Sequence, residues 1–168
     1  MALLAALTAY VTIDGFVELD VTEPSVHDRN LFMKFLEALP SGGPVVRFLK
    51  DQDLGASFDP RLSIALGDFA DDWDDAEHQF VDPQLDAYRC ELVRSSDELS
   101  SRIAEYTVPN RAGLISLGIT DFDDRPELWT RRDHLNQLRA RAYQAHQALT
   151  SAGLRRVPPT YDRVRSQE

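Results

Sequence analysis

Two groups of aspartates hold the side chains best suited to chemistry. The first is Asp68, Asp71 and Asp72, running on into Asp74, Asp75 and Glu77; the second is Asp121, Asp123 and Asp124. Carboxylates that converge on one point hold a hard divalent cation such as Mg2+ or Ca2+. A cation so held supports hydrolysis or phosphoryl transfer. Carboxylates arrayed over a surface instead steer and hold a basic partner. The two groups share a local pattern: Ser63-Ile64-Ala65-Leu66-Gly67-Asp68-Phe69 resembles Ser116-Leu117-Gly118-Ile119-Thr120-Asp121-Phe122, and an Asp-Asp pair follows each. If both apolar runs are strands lying parallel and adjacent, Asp68, Asp71, Asp72, Asp121, Asp123 and Asp124 leave the sheet at one edge and form a metal site.

Charge density favours the second use. Residues 62–88 contain eight acidic residues and no Lys or Arg. Like charges this dense resist burial, so the stretch must face water, a cation or a basic partner. The spacing within residues 71–75 fits no calcium loop, because the loop glycine and the terminal bidentate glutamate are missing. The reading adopted is a small acidic binding protein that masks a basic surface of another protein, in the manner of an inhibitor, an immunity protein or an adaptor. It assigns no catalytic residue and no cofactor. Its partner-binding set is Asp71, Asp72, Trp73, Asp74, Asp75 and Glu77, with Trp73 as the aromatic anchor among the charges and Phe69 and Phe80 close by. The alternatives are the metal-dependent enzyme, with Mg2+ or Ca2+ on the aspartates, and a structural protein that self-associates.

Composition narrows the partners. An apolar fraction of 43% and a charged fraction of 27% over 168 residues are ordinary for one globular domain. The net charge of −10 argues against nucleic acid or an anionic membrane as the main partner. The charge is uneven: residues 1–125 carry 24 acids and 10 bases, whereas residues 126–156 carry two acids and six bases. A single cysteine, Cys90, leaves no internal disulfide and fits a reducing compartment. Residues 1–15 are apolar without a basic flank, so neither a signal peptide nor a membrane span is expected, and the expected location is cytoplasmic. The chain has no Gly-x-Ser-x-Gly elbow, no phosphate-binding Gly-x-x-x-x-Gly-Lys loop and no dinucleotide fingerprint. Its four histidines show no metal-ligand spacing with Cys90.

The elements that must position these residues are read from periodicity and turn signals. Asp14-Gly15 predicts a β-hairpin over 8–21. Ser25, with Asp28 three residues on, opens a helix over 25–39. Short apolar runs predict strands at 45–49 and 62–66, the latter ending at Gly67. Residues 87–94 alternate as a strand with Cys90 on its apolar face, and Ser95-x-x-Glu98 opens a short helix. Residues 114–119 read as the central strand. A long helix follows from 126 to 152, with Gly153 at its end. Leu128, Leu135, Leu138, Ala142, Ala145, Leu149 and Ala152 form its heptad seam. Leu135, Leu138, Ala142, Ala145 and Leu149 are the residues a homodimer would use, though packing on the chain's own sheet is the commoner arrangement. The predicted fold is α+β: a single domain over 1–156, with a mixed, mostly antiparallel sheet of about six strands, three helices, and the long C-terminal helix packed on the sheet. Residues 157–168 are expected to form a flexible tail.

Overall fold

The computed structural model describes residues 25–119 and 125–157. These are mostly helical, which overturns the predicted α+β sheet. The helices are α1 (Val26–Ala38), α2 (Pro44–Asp51), α3 (Pro60–Trp73), α4 (Pro83–Tyr106) and α5 (Pro126–Arg156). A 3-10 turn at Ala76–His78 links α3 to α4. The strands β1 (Val108–Pro109) and β2 (Ile115–Ser116) form an antiparallel hairpin between α4 and α5. The hairpin expected at 8–21 and the tail beyond Val157 lie outside the described residues.

Proline and aspartate explain where the helices begin. Pro44, Pro60, Pro83 and Pro126 each sit in the first turn of a helix. The first N–H groups of a helix have no intrahelical partner, so proline loses nothing there and brings a φ already suited to the helix. Asp59 caps α3 by accepting from the Arg61 N–H, and Asp82 caps α4 by accepting from Gln84 and Leu85. Ser25 opens α1 as expected, its hydroxyl accepting from the Asp28 N–H at 2.9 Å.

Three predicted strands are helical. Residues 45–49 fall in α2, 62–66 in α3 and 87–94 in α4. Short apolar runs do not separate a strand from a helix; the wider period does. In α3 the buried positions are Ser63, Leu66, Phe69, Ala70 and Trp73, one face of a 3.6-residue period. In α4 the series Leu85, Arg89, Leu92, Ser96, Leu99 and Ile103 continues through Ser95 without a break. Ser95 caps nothing: its hydroxyl donates to the Leu92 carbonyl inside the helix at 3.1 Å. Cys90 is exposed, not on an apolar face. Of residues 114–119 only Ile115 and Ser116 are strand, and Ile115 also bridges Phe58. Leu117 is buried, while Leu114 and Ile115 are only half-buried.

Helix α4 packs most extensively against α5 and next against α3. One core cluster joins Phe32, Phe35, Trp73, Phe80, Leu92 and Leu149; a second joins Leu49, Phe58, Leu66, Leu99 and Leu135; Tyr143 touches both. Every residue of the α5 heptad seam is buried within this one chain. The seam therefore closes the chain's own core and offers no open face to a second copy. Gly153 does not end α5, which continues to Arg156. A Cβ there would lie 2.0 Å from the Phe32 ring, so this glycine permits a close approach of α1.

Candidate binding groove

The loop between α3 and α4 is tied down by acids turned inward. Asp28, buried at 3% exposure, accepts from the N–H groups of Val81 at 2.7 Å and Asp82 at 3.0 Å. Asp86 accepts from the Phe80 N–H at 3.2 Å and from Arg89 Nε at 2.7 Å. The buried Arg89 guanidinium donates to the Trp73 carbonyl at 2.5 Å, which places a cation at the negative end of the α3 dipole. Asp75 caps the 3-10 turn through the His78 N–H at 2.9 Å and pairs with His78 Nδ1 at 2.8 Å. Asp75 thus serves the fold.

Trp73 is 4% exposed. Its ring stacks on Phe69 at 5.4 Å, meets Phe35 edge-on at 5.8 Å and lies 4.6 Å from the His78 ring. Helical periodicity puts Trp73 on the face of Leu66, Phe69 and Ala70 and turns it away from the aspartates beside it. Phe69 and Phe80 are buried as well. The three aromatic residues expected to anchor a partner are core residues.

The remaining acids of this stretch point outward. Asp68, Asp71, Asp72, Asp74 and Glu77 are exposed, and no carboxylate among them is held by an ion pair or side-chain hydrogen bond. Several carboxylates elsewhere are held. The Arg132 guanidinium, with the Asn136 amide and the Gly55 N–H, keeps Asp53 well below the usual carboxylate range. Arg94 and Arg141 lower Glu91 likewise.

Helices α3 and α4 run antiparallel and come close at Gly67, where a Cβ would stand 3.4 Å from the Ser100 hydroxyl. Small residues at that crossing leave an open groove of about 520 Å³ along the outer side of the pair. Exposed Ile64, Asp68 and Asp71 form its α3 rim; Asp97, Ser101 and Ala104 form its α4 rim. Ser63, Gly67, Ser100 and Ile103 lie deeper, and Pro60, Thr107 and Ile115 also line it. A smaller cleft of about 260 Å³ shares Asp71 and Asp97 and extends to Asp74, Cys90, Val93 and Arg94. Arg94 is the one cation lining either, and Glu91 pairs with it.

The expected metal site loses its premise, since Asp68, Asp71 and Asp72 stand on a helix and not at the end of a strand. Asp121, Asp123 and Asp124 lie outside the described residues. Among the described residues no group of three or more His, Cys, Asp or Glu is placed to hold a metal ion. None of their helices is long and apolar enough to cross a membrane. Sequence reasoning missed Ile64, Asp97, Ser100 and Ala104. A signal for part of this was present: Asp59-Pro60 reads as a cap and first turn, after which Ile64, Asp68 and Asp71 share one helical stripe. The α4 rim had no such signal, because only the antiparallel packing brings Asp97 opposite Asp71. No protein-family profile, curated protein or solved structure matches this chain.

Proposed function

We propose that this protein acts by binding: it presents an acidic face that masks a basic surface on another protein. The observation that carries the reading is the placement of Asp68, Asp71, Asp72 and Asp74 in the last two turns and C-cap of α3, with no basic residue in its last turn. The carbonyl end of a helix disfavours negative charge, and like charges three or four residues apart repel. These acids therefore work against the helix that carries them, while Asp75 and the inward-facing acids support the fold. Charge kept at such positions is accounted for by something outside the fold, and a cationic protein surface complements it. The binding residues in this reading are Asp68, Asp71, Asp72, Asp74 and Glu77, without the buried Trp73.

The test is retention of basic proteins on immobilised parent and on the variant Asp71→Asn, Asp72→Asn, Asp74→Asn. A partner should be retained by the parent at low salt and released as salt rises, because screening shortens the reach of exposed charges to about 3 Å at 1 M. The variant should retain much less of it. Equal retention by both proteins across the salt range would remove the basis for the proposal.

A further inference from the structure

We infer that the α3–α4 groove receives a basic amphipathic α-helix of the partner protein. The inference rests on the acidic-face reading and adds where the partner sits and what shape it has. The groove joins an apolar strip to a charged rim. Ile64 is 57% exposed at its edge, with Ile103 and Ala104 opposite on α4. Asp68, Asp71 and Asp97 stand along it, and Asp74 continues the row into the smaller cleft. An occupant gains by placing an aliphatic side chain against Ile64 and Ala104 and cations against the aspartates.

Backbone chemistry selects the occupant's conformation. Two helices wall most of the groove, and Ile115, the one strand residue lining it, already exchanges both backbone hydrogen bonds with Phe58, so a bound segment must satisfy its own N–H and C=O groups, as a helix does. From Pro60 to Asp74 the α3 side rises about 21 Å at 1.5 Å per residue, room for about four turns of a third helix. The smallness of Gly67, Ser100 and Ala104 lets that helix sit close, completing a three-helix layer.

A second copy of this chain is a poor occupant. Its basic helix is α5, and five of the six cations there are already used, Arg155 being the exception. Arg132 pairs with Asp53, Arg141 with Glu91 and Glu98, and Arg156 with Asp82. Arg139 donates to the Leu49 and Lys50 carbonyls, and Arg131 lies 5.0 Å over the Tyr106 ring. The complement is therefore assigned to a different protein.

The probes are two synthetic peptides of about 18 residues, long enough to span the groove. Both are built from the same Leu and Lys residues, one ordered with helical period and one with strict alternation. The helical-period peptide should bind the parent protein, gain helicity by circular dichroism and shield the exposed Cys90 from alkylation. Ala104→Lys and Ile64→Lys, at exposed helical positions that a folded variant tolerates, should each weaken it by about tenfold or more while thermal melting stays near the parent's. If the alternating peptide binds equally well, or neither variant weakens binding, the groove inference fails while the acidic-face reading stands. If the helical-period peptide does not bind, the groove inference also fails, and the reading beneath it is decided by the retention experiment.

Discussion

Glu91 and Asp71 stand on neighbouring helices and carry the same charge, yet the fold treats them in opposite ways. Glu91 lies between Arg94 and Arg141, which binds α4 to α5. Asp71 lines the groove, and no cation among the described residues pairs with it. The contrast extends along both surfaces. Asp28, Asp53, Asp82 and Asp86 hold loops and helix starts in place, whereas the carboxylates of Asp68, Asp72 and Asp74 hold no group among the described residues. The described acids thus include two populations, one structural and one turned outward. The sharpest check is to remove members of each and compare the sign of the effect.

The largest loss should come from Asp28→Ala. Its carboxylate is the only described side chain accepting from the Val81 and Asp82 N–H groups, and it is almost fully buried. Two charge-assisted hydrogen bonds disappear and two donors lose their partner, so about 2–3 kcal/mol should be lost. Urea denaturation measures it. A loss near zero would mean that the other contacts of the loop after α3 hold it without Asp28, and the distinction between the two populations would weaken.

Asp53→Asn should cost less, about 1 kcal/mol, because the Arg132–Asp53 pair is substantially exposed and solvent screens it. It also has a pH signature. The carboxyl is held below its ordinary value of 3.8, so the unfolded chain binds the proton first as acid is added. The stability Asp53 supplies is complete above that value and is lost as the pH falls through its lowered folded value. Parent and Asp53→Asn should therefore differ at pH 7 and converge in strong acid. A difference that persists unchanged to the acid limit would show that the asparagine disturbs packing and that the charge matters little.

How far the two populations could be read from sequence depends on the partner that defines them. The Ser25 cap, the α5 seam and the acidity of residues 62–88 were legible, because each is a local pattern of a few residues. The helicity of α2, α3 and the first half of α4 was not read. Their apolar runs are short enough to suit a strand, and the first-turn prolines Pro44, Pro60 and Pro83 mark the helix starts that this local pattern does not show. That one misreading sent Trp73 to the surface, since its burial follows from sharing a helical face with Leu66 and Phe69. The roles of Asp28 and Asp53 were beyond local reading for another reason: their partners lie 53 and 79 residues away in the chain.

The smallest effect is also the one whose sign is least expected of a mutation, and it bears most directly on function. Replacing Asp71, Asp72 and Asp74 by Asn should stabilise the protein, by about 0.5–1 kcal/mol. The gain comes from a few tenths for each charge removed from the carbonyl end of α3 and for each like-charged neighbour relieved. For a chain of this size that is about 2 °C in melting temperature. The same chemical change at Glu91, Glu91→Gln, should lower stability instead, since Arg94 and Arg141 lose their anion. Salt separates the two further. Near 1 M NaCl the gain in the triple variant should shrink toward zero, because repulsion among exposed charges is screened within about 3 Å. A triple variant less stable than its parent would show that these carboxylates satisfy groups of the fold itself. The outward-turned population, and the partner it implies, would then have no support.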